Sequence, residues 1–352
     1  MKLKLKRKYK YIFITELPVF YKVNLYEQLS RDMDIFVIFL ASGTLEQRSS
    51  DFISTEIFKF DHVILNNTDL QNRNALINYF RIMRILNEVE HNKVVFCAWG
   101  FIETWLLIFM RHKTKNAFVL ESTHYDSEVK GWKSFFKKIF LLKISTVFAS
   151  GKHQIRLLEL LNYQGEIIET FGVGLINKIP YKATLKNYSG RFIFVGRLIE
   201  KKNIELLISV FNDLPKLKLT IVGEGVLLQK ISKTAGTNIE ILGSIKNSNL
   251  PNLFDQHDIL ILPSQIEPWG LVAEEALYYG LPTIISEVCG VRSILLENKN
   301  CISFDPRNAA ELKSLVSGMS IDFFRFLCSN VGSHLINKKD GKQLKAYYLS
   351  EE

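Results

Sequence analysis

Asp258-Ile-Leu-Ile-Leu-Pro-Ser-Gln-Ile-Glu-Pro-Trp-Gly-Leu-Val-Ala-Glu-Glu-Ala-Leu-Tyr-Tyr-Gly-Leu-Pro-Thr-Ile-Ile-Ser286 is the stretch whose reading decides the fold. Its opening apolar run is strand-length, and Pro263 and Ser264 then begin a loop. Residues 272–280 carry helical spacing, Gly280-Leu-Pro stops that helix, and residues 283–286 read as the next strand. Strand, helix and strand in this order form the repeating unit of a parallel sheet covered by helices.

The same alternation extends in both directions. Downstream of residue 190, strands are predicted over 191–195, 217–222, 239–242, 259–262 and 283–286, with helices over 203–212, 225–235, 249–254, 272–280 and 309–317. In the first half, strands over 11–15, 35–40, 94–97, 117–120 and 146–149 alternate with helices over 23–31, 74–90 and 152–161. Between the two blocks, Gly172-Val-Gly174, Pro180 and a polar run to Gly190 interrupt the periodicity. The expected organisation is an α/β chain with a domain over 1–172, a linker over 173–190, a second domain over 191–330 and a tail over 331–352, read as a helix returning to the first domain. A length of 352 residues, 47% of them apolar, supplies two cores.

Composition excludes several classes. Cys97, Cys289, Cys301 and Cys328 form no CxxC pair and no metal-ligand spacing with histidine. Neither a zinc site nor a disulfide framework is expected, and a reducing, cytoplasmic setting fits. The Lys-rich first ten residues resemble the basic region of a signal peptide, but Glu16 and Pro18 break the apolar run that follows. No segment has the length and apolarity to cross a bilayer. The net charge of +9 is uneven: residues 1–180 hold 25 Lys/Arg against 18 Asp/Glu, and residues 181–352 hold 20 against 18. A basic first half suits an anionic membrane surface or nucleic acid, although solvated lysines with no partner give the same composition.

Three segments carry candidate chemistry. In Phe192-Ile-Phe-Val-Gly-Arg-Leu-Ile-Glu-Lys-Lys-Asn-Ile204, a strand stops at Gly196 and delivers Arg197 and Lys202 just ahead of a helix. Open α/β sheets bind ligands at that edge, and two cations there suit a diphosphate, though alone they match an ordinary surface turn. Leu217-Lys-Leu-Thr-Ile-Val-Gly-Glu-Gly225 feeds a strand through Gly223 and Gly225, where backbone can approach a phosphate or a base; a ligand-free tight turn has the same pattern. In the opening stretch, Glu267 precedes a helix and Glu275 lies about two turns along it. Such a pair can accept hydrogen bonds from two polyol units, with main-chain N–H groups of Gly270, Leu271 and Val272 available to phosphates between them. Glu274 is read as solvent-facing.

Taken together and in order, these three motifs resemble the C-terminal domain of the retaining family 4 glycosyltransferases of GT-B fold, over residues 191 to about 290. The resemblance implies two Rossmann-like domains with parallel sheets facing a cleft. It implies that Arg197 and Lys202 bind the donor diphosphate, that Glu267 contacts the transferred sugar and that Glu275 takes the ribose hydroxyls. Gly196, Gly223, Gly225, Trp269, Gly270, Leu271 and Val272 complete the implied donor site. No metal and no cofactor is implied, since the nucleotide-sugar is a substrate. The resemblance weakens after Ser286, where Arg292-Ser293 stands in place of a glutamate common in the family.

In the first half, Tyr11 to Tyr26 resembles the first strand and loop of relatives with a Pro-x-x-Tyr-Arg sequence, which puts Lys22 on the acceptor side; a surface lysine would look the same. His124, in Glu121-Ser-Thr-His-Tyr-Asp126, is the candidate for a donor-facing catalytic histidine, with Asp126 the weaker alternative. The segment from Trp132 to Ile144 mixes large apolar residues with lysines, as does an interfacial helix on anionic lipid or a core helix with a solvated lysine face.

The function that follows is transfer of a hexose from a UDP- or GDP-sugar to a glycan or lipid-linked acceptor in cell-surface polysaccharide assembly (O-antigen, capsule or exopolysaccharide), in the cytoplasm or peripherally on the inner face of the cytoplasmic membrane. The alternatives are another GT-B sugar-nucleotide enzyme, such as an epimerase, or a non-catalytic basic binding protein. Nucleic acid is not expected as a partner, because no stacking surface or recognised binding fold accompanies the charge.

Overall fold

The computed structural model describes residues 8–55, 57–180 and 187–349. Residues 1–7 of the basic N-terminus and 181–186 of the expected linker lie outside the described residues. The chain forms two compact units: one from residues 1–46, 52–175 and 341–352, the other from 47–51 and 176–340.

The first unit follows β1 (Tyr9–Thr15), α1 (Phe20–Leu29), β2 (Ile35–Phe39), β3 (Asp61–Ile64), α2 (Ala75–Glu88), β4 (His91–Phe96), α3 (Ile102–Met110), β5 (Asn116–Leu120), α4 (Gly131–Leu142), β6 (Thr146–Ala149), α5 (Lys152–Leu160) and β7 (Glu166–Glu169). Its seven strands lie in the order β3-β2-β1-β4-β5-β6-β7, every pairing parallel. Successive side chains alternate between faces, as strand geometry requires. Ile12, Ile14, Phe36, Ile38, Val94 and Phe96 enter one core cluster. Tyr11, Phe13, Val37, Phe39 and Val95 enter the other. Both faces are covered, which is why these strands read as unbroken apolar runs.

The second unit follows β8 (Arg191–Val195), α6 (Ile204–Asn212), β9 (Lys218–Val222), α7 (Leu228–Thr234), β10 (Ile239–Gly243), α8 (Leu250–Asp255), β11 (Ile259–Leu262), α9 (Leu271–Tyr278), β12 (Thr283–Ser286), α10 (Arg292–Glu297), β13 (Cys301–Phe304), α11 (Ala309–Ser317) and α12 (Ile321–Ser329). Helix α13 (Ser333–Tyr348) closes the chain, with residues 333–340 in this unit and 341–348 in the first. The six strands are parallel in the order β10-β9-β8-β11-β12-β13.

Strands β3, β7 and β13 were not expected from the sequence. Each is four residues long and lies at a sheet edge. An edge strand buries less, so Glu166-Ile-Ile-Glu169 and Asp61-His-Val-Ile64 keep polar residues that conceal the strand signal. The helix expected to begin at residue 225 begins at Leu228, because residues 223–227 are used in a tight approach to the neighbouring loop.

That approach centres on Gly223. Its φ is +143°, and a Cβ there would lie 1.8 Å from the carbonyl oxygen of Gly196. Only glycine tolerates both the conformation and the contact. Gly223→Ala is expected to lower stability by about 2–4 kcal/mol, read as a fall in thermal midpoint, whereas Gly100→Ala, where a Cβ would meet nothing within 4 Å, leaves the midpoint unchanged.

Candidate functional site

Strand order in the second unit reverses direction at β8: β9 and β10 lie to one side, β11, β12 and β13 to the other. In open parallel sheets the loops leaving the two strands at such a switch diverge, and ligands bind at their carboxyl ends. The loops after β8 and β11 carry Gly196, Arg197, Lys202 and Glu267.

Backbone contacts tie these loops together. Asn203, in the left-handed region at φ 56°, donates from Nδ2 to the carbonyls of Pro263 at 3.1 Å and Pro306 at 2.8 Å. The Gln265 N–H donates to the Lys201 carbonyl at 2.9 Å. Lys202 Nζ thereby meets the Glu267 carboxylate as an ion pair, and Ser264 Oγ donates to the same carboxylate oxygen at 3.1 Å. Both charged side chains are largely buried. Arg197, two residues beyond the end of β8, is half-buried.

Glu267 is held from behind as well. Its carbonyl accepts from the Gly290 N–H at 3.0 Å, and the Val291 N–H donates to the Trp269 carbonyl at 2.9 Å, so the loop after β12 supports the loop after β11. Gly270, at φ 101° and ψ 52°, turns the chain into α9. The first-turn N–H groups at Leu271 and Val272 have no acceptor within the helix, as at any helix start.

Glu275 is buried on α9 and accepts from Asn247 Nδ2 at 2.7 Å; Asn177 Nδ2 in turn donates to Asn247 Oδ1 at 3.1 Å. Burial pushes its carboxyl up to about 7, against the Asn247 hydrogen bond, which lowers it.

Glu274 is not solvent-facing; it is fully buried. Its Oε1 accepts from the Trp269 indole N–H at 2.7 Å, and its Oε2 pairs with Lys339 Nζ at 2.8 Å. Lys339 also pairs with Asp340 at 2.8 Å, and Asp340 with Lys178 at 2.5 Å. Burial disfavours the Lys339 charge, but Glu274 and Asp340 outweigh it and raise its pKa. The partner of Glu274 lies 65 residues away, a separation no local pattern reveals.

In the first unit Lys22 is no surface lysine. It is buried on α1 and pairs with Glu121 Oε1 at 3.0 Å; burial opposes its charge, and Glu121 more than offsets this, so its pKa lies well above the ordinary value. Glu16, after β1, has its pKa raised by burial. His124 is half-buried, its ring 4.0 Å from that of Tyr125 and 5.3 Å from that of His153, with Nδ1 3.3 Å from the His153 carbonyl. Asp126 is occupied in holding its own turn, accepting from the Thr123 N–H at 2.5 Å and the Thr123 hydroxyl at 3.0 Å.

The structure thus joins Lys202 and Glu267 directly, places Gly196 and Arg197 on the loop beside them, and puts Gly223 against Gly196. It adds Ser264, Asn203, Asn247, Asn177 and Lys339, which sequence reasoning missed. Ser264 stood within the quoted motif, three residues before Glu267. Asn203 likewise stood within a quoted segment, directly after Lys202, whereas Asn177 and Asn247 carried no signal, since their tasks depend on chain segments distant in sequence.

Residues 177–320 match the family model described as Glycosyl transferases group 1. An uncharacterized 41.2 kDa protein in the cps region of Klebsiella pneumoniae is 28% identical over 155 residues, which is 42% of this chain and 42% of that protein. The chain spans less than half the length of such curated relatives. Among solved structures, sucrose-phosphate synthase from Thermosynechococcus elongatus superposes with a TM-score of 0.75 at 14% identity, covering 97% of this chain and 98% of that one. Anabaena HepE in complex with UDP and glucose superposes with a TM-score of 0.68 at 13% identity, covering 98% and 100%. These likenesses show the fold, two Rossmann-like domains of the GT-B type.

Two outcomes test the electrostatics. Lys339→Met strands the Glu274 carboxylate and is expected to cost about 3–5 kcal/mol. Adding Glu274→Gln, which keeps an acceptor for Trp269, recovers a large part of that loss in a denaturant titration. For Glu275, a folded-state value of about 7 lies above the ordinary 4.5, so folding takes up a proton between them. Its contribution to stability is greatest below that window and falls as pH rises through about 7. Glu275→Gln lacks this slope, and its melting temperature relative to the parent should climb across the window; a constant difference would refute the assignment.

Proposed function

We propose, on the premise that residues 177–320 form a Glycosyl transferases group 1 domain, that the chain is a retaining glycosyltransferase. It moves a hexose from a UDP- or GDP-sugar to a glycan or lipid-linked saccharide during assembly of a cell-surface polysaccharide such as O-antigen, capsule or exopolysaccharide. The observation that carries the proposal is the pairing of Lys202 with Glu267 at the switch point of the second sheet, with Glu275 buried on the following helix. The cps-region relative supports the polysaccharide setting, and the UDP complex of the structural neighbour supports the donor class.

In this reading Lys202 and Arg197 take the donor diphosphate, and Lys202 exchanges its Glu267 partner for phosphate oxygen. Glu267, still held by Ser264, is freed to accept from a hydroxyl of the transferred sugar. Glu275 accepts from the ribose hydroxyls, while Gly196, Gly223 and Gly225 allow close backbone approach. Trp269, fixed through Glu274, sets the loop, and the N–H groups of Gly270, Leu271 and Val272 face the phosphates. As the sugar C1–O bond breaks, its electron pair passes to the diphosphate oxygen, and the two cations stabilise the charge that builds there. The acceptor oxygen bonds C1 on the same face, and its proton goes to the departing diphosphate. Because charge balance comes from side chains, the reaction proceeds without a metal. His124 is assigned in this reading as the catalytic histidine, and Lys22, held by Glu121, as the acceptor-side residue. The setting is the cytoplasm, with the basic first half directed toward an anionic membrane surface; no helix among the described residues is long and apolar enough to cross a membrane.

The test is a screen of UDP- and GDP-sugars for donor hydrolysis in EDTA. Turnover of one donor is expected, with Arg197→Ala and Lys202→Ala slowing it by about 10²- to 10³-fold and Glu267→Ala abolishing it. Donor affinity should rise with pH through about 7 as Glu275 ionises and become flat in Glu275→Gln. Failure of every nucleotide-sugar to bind would overturn the reading, and loss of activity in EDTA would overturn its metal independence.

A further inference from the structure

Helix α4 presents apolar residues on two faces. Phe140 and Leu141 are buried against the core of the first unit. Trp132, Phe135, Phe136 and Leu142 recur at i, i+3, i+4 and i+10, which gathers them on a flank that borders Phe140 and points away from Leu141. That side is open: Trp132 is 69% exposed, Phe135 61% and Leu142 69%.

The exposed face does not stop at one helix. Ring contacts run from Trp132 to Phe136 at 6.1 Å, from Phe136 to Trp105 at 6.2 Å and from Trp105 to Phe109 at 6.1 Å, carrying the patch onto α3. Met110, at the end of α3, is 67% exposed. Contiguous exposed apolar surface of this kind is where proteins dock partners or membranes.

The charge around it is predominantly basic. Residues 130–143 contain five lysines and no acid, and residues 109–115 contain Arg111, Lys113 and Lys115 and no acid. On the helical wheel Lys133 and Lys138 flank the aromatic face on its two edges. Lys133 Nζ lies 5.8 Å from the Trp132 ring centroid and Lys143 Nζ 5.5 Å from that of Phe109. Acids stand at one end of the helix, where Glu128 lies 2.6 Å from Lys133 and, with Asp126, near Lys137.

We propose that α3 and α4 form a bilayer-docking face, with Trp132, Phe135, Phe136 and Phe109 entering the interfacial region of an anionic lipid surface while the flanking lysines engage its headgroups. Amphipathic surface helices with aromatic anchors and lysine edges bind in this way, by apolar burial combined with attraction to anionic lipid. The excess of lysine beside the aromatic residues is what favours an anionic lipid surface as the occupant. The inference deepens the membrane part of the proposed function. It is read without donor or acceptor, so a failed transfer assay and a failed binding assay are distinguishable.

The experiment is flotation of the full chain with vesicles of phosphatidylcholine alone or mixed with phosphatidylglycerol. Binding is expected only to the anionic vesicles, weakening as salt is raised. Trp132→Ser with Phe135→Ser, and separately Lys133→Glu with Lys138→Glu, should each reduce it by about tenfold or more with an unchanged thermal midpoint, since these side chains lie outside the core. Absence of binding by the parent, or binding by either double variant equal to the parent's, would overturn the proposal. So would concentration-dependent self-association that Trp132→Ser removes in the absence of vesicle binding, which would assign the face to a second copy of the chain.

Discussion

The ion pair between Lys202 and Glu267 closes the second sheet at the point where its strand order reverses, and the surrounding loop structure is arranged to make that pair possible. Its two residues leave different strands, β8 and β11, which are neighbours in the sheet and 65 residues apart in the chain. Burying both charges carries a desolvation cost that their attraction alone barely offsets. The cost is met by further hydrogen bonds: Ser264 to the carboxylate, Asn203 to two carbonyls, and main-chain bonds from Gly290 and Val291 beneath the loop. A preorganised cation beside a preorganised carboxylate suits an anionic ligand that also carries hydroxyls, because the ligand can take over both partnerships without new desolvation.

Helix α9 shows how environment separates chemically identical side chains. Glu274 and Glu275 are adjacent and both buried. Glu274 is compensated by Lys339 and held by the Trp269 indole, within a chain of alternating charge that runs through Asp340 to Lys178. Glu275 has an amide, Asn247, in place of a cation, and its proton affinity rises accordingly. The first carboxylate is committed to structure. The second retains acceptor capacity and a titration near neutrality, which is the profile of a group whose full set of hydrogen bonds is completed by a ligand.

Sequence reasoning recovered what periodicity and punctuation encode. The central strands of both sheets are apolar runs because both of their faces are covered, and the glycine turns after β8 and β9 stand where the backbone approaches most closely. Edge strands β3 and β7 escaped because half-exposed pairing tolerates Glu, Asp and His, and β13, Cys301-Ile-Ser-Phe304, because four residues at a sheet edge are too short a run to stand out. Glu274 was misread for a related reason: helix α9 is covered on the flank that its own sequence marks as polar, and the covering residue, Lys339, belongs to the last helix. Lys22 was balanced between surface and site, and only the fold brings it to Glu121, 99 residues further along the chain. Local pattern reports the periodicity of an element; it does not report what packs against the polar side of that element.

Helix α4 illustrates the same limit from the opposite direction. Its sequence, with large apolar residues and lysines at helical spacing, suits either a core helix with a solvated basic face or an interfacial helix. In the structure the core takes Phe140 and Leu141, and Trp132, Phe135, Phe136 and Leu142 extend from there onto an exposed flank that has lysines beside it. A core helix needs one apolar stripe. Beyond Phe136, which meets Trp105, the exposed stripe leaves Trp132, Phe135 and Leu142 in water, and the proposed docking face is built on these residues. A bilayer is apolar where the aromatics would enter and anionic where the lysines would lie, and these are the two properties the face presents together.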